Sequence, residues 1–223
     1  VYALVTDPDG GALGAGFRGE PLRAVDAGGF FAVVGAMEDV PPLEPASLRG
    51  HDAVARRLAA VADAVLPARY GSLLAGDEAL VRALAPRARE LVDALDLVRG
   101  REQMTLRVYG AAAPRPAGNA EEDDEGLGPG TRYLRRRLRE HDWEHMVPEI
   151  APLRPALDGL TRAERVERHR QSALLASVYH LVDRGTSGAY LALVEAAAPS
   201  LDAVRVTASG PWPPYAFAPE GAL

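Results

Sequence analysis

Apolar residues open the chain in short runs separated by turn-forming clusters. Val1 to Thr6 is a β-branched and aromatic run that stops at Asp7-Pro8-Asp9-Gly10-Gly11. Leu22 to Ala27 and Phe30 to Gly35 read as two strands about Gly28-Gly29, a pair that supplies the positive φ of a tight hairpin turn. Pro41, Pro42 and Pro45 then form a connector that cannot continue a central strand. Val54, Leu58, Val61 and Val65 recur at helical spacing, which predicts a helix closed by Pro67, with 68–74 extended after it. Asp77 is a candidate N-cap for a face of Leu80, Val81, Leu84, Leu91, Val92, Leu95 and Val98, and Pro86 predicts a kink or two abutting helices. After Gly100, Met104, Leu106 and Val108 alternate with Thr105, Arg107 and Tyr109, as in a strand with one buried face.

The composition changes after Tyr109. Residues 111–127 are rich in Ala, Pro and Gly and carry the acidic stretch Glu121 to Glu125, which reads as a loop or linker. We therefore expect an N-terminal domain over 1–110 and a C-terminal one over 111–223. In the second half, Gly128-Pro129-Gly130 leads into an Arg-rich helix from Thr131 to about Glu140, and Pro148, Pro152 and Pro155 break up the stretch beyond it. Leu160 to about Arg170 reads as a charged helix, and Ala173 to Val182 as apolar with a buried strand in its second half. A short helix comes next at 189–198 with Leu191, Val194 and Ala198 inward, then a strand in which Val204, Val206 and Ala208 alternate with polar residues. The fold class is α+β.

Charge and composition narrow the chemistry. The net charge is −6 and every Lys or Arg position is Arg, so broad nucleic-acid binding is disfavoured. No apolar run approaches the roughly 20 residues that span a bilayer, and no charged, apolar-centred leader opens at Val1, so a cytoplasmic location is the default expectation. There is no cysteine for disulfides or thiolate metal sites. Gly14-Ala15-Gly16-Phe17-Arg18-Gly19 has the GxGxxG spelling, but it lacks the strand–turn–helix setting of a dinucleotide site and reads as a Gly-rich loop. The run His141-Asp142-Trp143-Glu144-His145 matches HxxEH, in which two histidines share a helix face and the glutamate serves as base; a metal-dependent hydrolase using His141, Glu144 and His145 is the alternative reading. Pro148 just beyond favours a charged helix end instead. No nucleophile elbow or P-loop is present, so we expect no catalytic residue, cofactor or metal.

The closing segment Gly210-Pro211-Trp212-Pro213-Pro214-Tyr215-Ala216-Phe217 carries more. Its prolines favour an extended, polyproline-like path, and Trp212, Tyr215 and Phe217 offer large apolar contacts. The pattern fits an arm packed on its own domain and a tail that docks a partner equally well.

Taken in order, several segments resemble the gas vesicle protein F/L family. They are the short first strand, His51-Asp52 opening a helix, Val65-Leu66-Pro67-Ala68-Arg69-Tyr70-Gly71-Ser72, and Gly100-Arg101-Glu102-Gln103-Met104. Gly128-Pro129-Gly130 before Tyr133-Leu134, Tyr179-His180-Leu181-Val182-Asp183-Arg184 and the closing segment complete the set. The resemblance implies two α+β domains, the second a modified ferredoxin-like unit, with 111–127 an acidic loop and 210–223 an arm of that unit. It implies a gas vesicle accessory protein, a minor shell component or assembly factor. Its partners would be the strongly hydrophobic major shell protein and other accessory proteins, with neither nucleic acid nor lipid membrane. Arg69, Tyr70, Trp212, Pro213, Pro214, Tyr215 and Phe217 are the candidate contact or structural residues. Removing Gly210 to Leu223 is expected to destabilise the second domain.

Overall fold

The computed structural model describes residues 1–8, 13–110, 128, 130–131, 146–169 and 173–221. It divides into two compact units, one of Val1–Gln103 with Pro211–Leu223 and one of Met104–Gly210. The sequence boundary at 110 falls elsewhere because linker composition marks where the chain turns polar. It does not mark where the second unit takes its first strand.

The first unit is built on a four-stranded sheet of order β2-β3-β1-β4, comprising β1 (Ala3–Val5), β2 (Leu22–Asp26), β3 (Phe31–Gly35) and β4 (Val65–Pro67). β1 is central and antiparallel to both neighbours, with Leu4 opposite Ala32 and Leu66. The β2–β3 hairpin turns at Gly28 (φ 80°) and Gly29 (φ 111°), positions where a side chain would be strained. Helix α1 (Pro45–Val61) begins with proline in its first turn, where a missing N–H costs nothing. It buries His51, Val54, Ala55 and Leu58. His51-Asp52 therefore lies inside the helix and does not open it. The predicted stripe also runs too far, because Val61 is exposed and Val65 belongs to β4. Pro67 is tolerated there since β4 is an edge strand.

Gly76 (φ 91°) occupies the N-cap of α2 (Asp77–Leu84), and Asp77, the first helical residue, instead takes a two-pronged bond from Arg23 at 2.6 and 2.8 Å. Pro86 sits in the 3-10 turn Ala85–Arg87, which separates α2 from α3 (Ala88–Val98) as two abutting helices. Leu80, Leu84, Leu91, Leu95 and Val98 are buried, the face that periodicity predicts.

The second unit has a sheet of order β6-β7-β5-β8, from β5 (Arg101–Gly110), β6 (Thr161–Arg168), β7 (Leu174–Asp183) and β8 (Val204–Trp212). Met104, Leu106 and Val108 are fully buried, and Gln103 and Thr105 are buried on the opposite face, because β5 is an interior strand. Ile150, Leu153 and Leu157, from the 3-10 turn Pro148–Leu153 and the short helix α4 (Arg154–Leu157), join the same core. So do Tyr190 and Val194 of α5 (Ser187–Ala197). The inward stripe of α5 starts at Tyr190, and Leu191 is exposed.

One expectation fails outright: 161–168 is a strand, not a charged helix. It pairs antiparallel with β7, from Thr161 opposite Val182 to Arg168 opposite Ala176. This pairing overrides the helix propensity of a run rich in Ala, Arg and Glu. β6 is an edge strand, and its charges discourage pairing with other chains. The whole of β7 is extended, not only its second half. The acidic loop, most of the Arg-rich segment and the HxxEH run lie outside the described residues.

Candidate functional site

The closing segment does not follow one extended path. Gly210, Pro211 and Trp212 complete β8, and Tyr215–Phe217 forms a 3-10 turn. Between them the Tyr215 N–H donates to the Pro213 carbonyl at 2.7 Å around Pro214 (φ −76°, ψ 59°), an inverse γ-turn. Pro213, Pro214 and Phe217 are buried, Trp212 is half-buried and Tyr215 is 37% exposed.

Residues of the first unit hold this segment. The Arg56 guanidinium lies 4.2 Å from the Trp212 ring centroid, a cation–π contact. Asp52, one turn earlier on α1, accepts from Arg56 at 2.7 Å and from the Tyr215 hydroxyl at 2.9 Å. The Ala216 N–H donates to the Gln103 side-chain oxygen at 2.8 Å, and Arg87 donates to the Glu220 carbonyl at 2.5 Å. Burial, then the bond to Asp52, raises the Tyr215 pKa, so its hydroxyl stays a donor. The arm is thus packed on its own chain, but with the first unit. Its removal would strip Phe217 and two prolines from that unit and would also take the last residues of β8 from the sheet of the second.

A second cluster lies elsewhere in the first unit. His51 stacks on Tyr2 with ring centroids 5.2 Å apart and meets Tyr70 edge-on at 5.6 Å. Phe17 packs against both tyrosines and against Gly50, where an added Cβ would come within 2.9 Å of it. The Tyr70 hydroxyl donates to the carbonyls of Pro41 and Pro42, each at 3.0 Å. Arg69 is exposed, and its carbonyl accepts from the Ser72 hydroxyl at 2.8 Å. Of the seven residues singled out by sequence, Tyr70 belongs here with Arg69 beside it, and the other five belong to the arm.

The GxGxxG run now has a structural explanation. The Gly16 N–H donates to the Glu20 carbonyl at 2.7 Å, closing a loop about the Ala15–Pro21 bridge. A Cβ on Gly16 would overlap the Glu20 carboxylate, which accepts from the Tyr2 hydroxyl and from the Arg18 N–H. Burial and then the bond to Glu20 raise the Tyr2 pKa. Gly16 thus admits a carboxylate of the chain itself, whereas a Cβ on Gly14 would meet the Arg57 side chain and one on Gly19 would meet nothing.

In the second unit, His180 is 3% exposed and both ring nitrogens are engaged. Nε2 lies 2.9 Å from Glu164 and Nδ1 lies 2.6 Å from the Tyr190 hydroxyl. A carboxylate only accepts, so Nε2 carries a proton, and in the neutral ring Nδ1 accepts from Tyr190. Arg154 holds the other side of Glu164 at 3.1 Å. His180 first, then Arg154, keeps the Glu164 carboxyl below its ordinary pKa despite burial. A cavity of about 180 Å³ adjoins Arg154, Glu164 and His180. Among the described residues, no group of three or more His, Asp or Glu is placed to hold a metal ion.

Sequence reasoning missed the partners of the arm. Asp52 and Arg56 form an i,i+4 pair beside the buried face of α1, a visible signal, but nothing local says that an arm covers them.

Comparison with known proteins bears on the whole chain. The family model described as gas vesicle synthesis protein GvpL/GvpF matches residues 1–219. Gas vesicle protein L of Streptomyces sp. (strain CB03234) is 33% identical over 251 aligned positions, covering 98% of this chain and 91% of that protein. The crystal structure of GvpF from Anabaena sp. PCC7120 superposes with a TM-score of 0.70 at 17% identity, covering 98% of this chain and 94% of that one. GvpF from Microcystis aeruginosa gives 0.71 at 17% identity, with 98% and 97% covered. These two structures support the mixed α+β fold. With a family match spanning nearly its full length, the chain belongs to the gas vesicle GvpL/GvpF family.

Proposed function

We propose that this chain is a gas vesicle accessory protein that binds the hydrophobic major shell protein and limits its aggregation while vesicles form. The observation that carries the reading is the family match over residues 1–219. A shell subunit with a strongly apolar face aggregates in water before it polymerises, and a partner that covers the face transiently prevents this. On this reading the protein acts as an assembly factor or minor shell component in the cytoplasm and at the vesicle, among other gas vesicle proteins. Its role is binding, not catalysis. No helix among the described residues is long and apolar enough to cross a membrane.

The second unit supports a ferredoxin-like assignment. Its chain order is strand, helical segment, strand, strand, helix, strand, and its sheet order is β6-β7-β5-β8. Nothing in the described residues or the relatives favours the metal-dependent hydrolase.

The test is coexpression with the major shell protein. The expected result is a soluble complex in pull-down and reduced light scattering. Absence of association with undiminished aggregation rejects the chaperone-like role, and recovery of the protein in washed vesicles would then point to a purely structural one.

A further inference from the structure

We propose that β6 is a self-complementary edge at which two copies of this chain join antiparallel about Val166, merging two four-stranded sheets into one. The inference goes beyond the assembly reading and does not depend on it.

The backbone supplies the first argument. β6 is the outermost strand of its sheet, with β7 on its one paired side. The His169 N–H donates to the Leu175 carbonyl at 2.8 Å, which continues the β6–β7 register. Backbone groups alternate sides along an antiparallel pair, so Arg165 and Glu167 also direct theirs at β7. Glu164, Val166 and Arg168 direct theirs outward. Among the described residues, no backbone bond from outside the sheet reaches Glu164 or Val166. A bulge between Thr161 and Ala163 ends the regular edge just before this stretch.

The order of side chains supplies the second. In Glu164-Arg165-Val166-Glu167-Arg168 the charges exchange sign about the central valine. A two-fold axis at Val166 sets Glu164 against Arg168 of the second copy and Arg165 against its Glu167, each pair occurring twice. An axis one residue earlier would oppose Arg165 to itself and Arg162 to Arg168. One residue later, Glu167 would oppose itself. Like charges directly across a strand pair are destabilising, so the Val166 register is the favoured one of the three. Charge on an edge keeps away strands of unrelated sequence, and here its order leaves the strand's own sequence as the match.

The seam also spares the core. Glu164 keeps His180 and Arg154 of its own chain, and Arg168 keeps Glu149 at 3.0 Å. Arg165 and Glu167 lie on the opposite face of the strand, both exposed, where they can meet without disturbing those contacts. The outward groups of Glu164, Val166 and Arg168 then pair completely, in about six main-chain bonds. A seam this short gives a weak, concentration-dependent dimer.

Sedimentation equilibrium of the full-length chain over a concentration series is the test, with a monomer–dimer equilibrium expected. Arg165→Glu opposes two carboxylates across the seam, and Glu167→Arg opposes two guanidinium groups. Each alone should weaken association at least about tenfold. An equimolar mixture of the two variants pairs opposite charges again, and should associate within about threefold of wild type. Loss of the Tyr179 bond to Glu167 cannot produce that recovery. The chain has no cysteine, which permits a second readout. Arg165→Cys mixed with Glu167→Cys sets two thiols in a facing, non-hydrogen-bonded pair, and should form an interchain disulfide faster than either variant alone. A wild type that stays monomeric overturns the proposal. So does a charge-swapped mixture no tighter than its separate variants, or a cysteine mixture that fails to join.

Discussion

Two buried histidines, His180 in the second unit and His51 in the first, sit in opposite circumstances. His180 has a partner at each nitrogen, and one of those partners, Glu164, is itself held by Arg154. His51 has a buried Nε2 with no hydrogen-bond partner, in a pocket that the exposed Val40 and Leu73 also line. A closed network specifies packing, because each member would be costly to leave alone. An open one spends stability, because a buried polar atom without a partner has lost its bond to water and gained none in return. The same residue type at similar burial thus closes a network in one unit and leaves one open in the other.

The comparison is broken most directly at His180. His180→Leu leaves the Tyr190 hydroxyl and the Glu164 carboxylate without their buried partner, and should cost about 2–4 kcal/mol in denaturant unfolding. A cost no larger than that of changing His51 would show that closure has no energetic content. Glu164→Gln keeps an acceptor for His180 but discards the charge that faces Arg154. Since Glu164 is a quarter exposed, a loss of about 1 kcal/mol is expected. Its pH dependence has a definite sign. The folded carboxyl is held below its unfolded pKa, so its contribution is present above the unfolded value and is lost as pH falls through the folded one. The Gln variant should lack that acid-side loss.

How far the sequence foretells these two regions depends on the distance of the deciding contacts. The Gly28-Gly29 hairpin, the break at Pro86 and the buried alternation of Met104, Leu106 and Val108 are local and legible. β6 is not, since Thr161 to Arg168 carries helix-forming side chains and only its register with β7 makes it a strand. The arm shows the same limit. Trp212, Tyr215 and Phe217 stand out by composition, yet Tyr215 meets Asp52 across 163 residues and Ala216 meets Gln103 across 113. Tyr70 is legible as part of a motif. The unused nitrogen of His51 is legible in no pattern, because it is defined by what four separated segments leave unpaired.

His51→Phe sharpens the comparison from the other side. It removes an unsatisfied polar group while keeping an aromatic ring against Tyr2 and Tyr70, so stability should stay within about 1 kcal/mol of wild type. The pH profile is the finer readout. Unfolded, a histidine takes up a proton below about pH 6.5, whereas burial, outweighing the neighbouring Asp52, makes the folded ring resist protonation. Wild-type stability should therefore decline as pH falls below that value, and the Phe variant should be flatter over the same interval. A variant as steep as wild type would mean that another group supplies the dependence.

The smallest effect is expected one residue along, at Asp52. It leaves α1 beside the buried face that carries His51 and serves the arm, bonding Arg56 and Tyr215. Asp52→Asn keeps an oxygen for the Tyr215 hydroxyl and gives up only the charge of an ion pair whose side chains are 41% and 36% exposed. Such pairs contribute little in water, so the change should lie within about 0.5 kcal/mol and shrink further in high salt. Should Asp52→Asn instead cost as much as His180→Leu, the Arg56–Asp52–Tyr215 contacts would have to be counted with the closed networks, and exposure would not be what separates the two kinds of region.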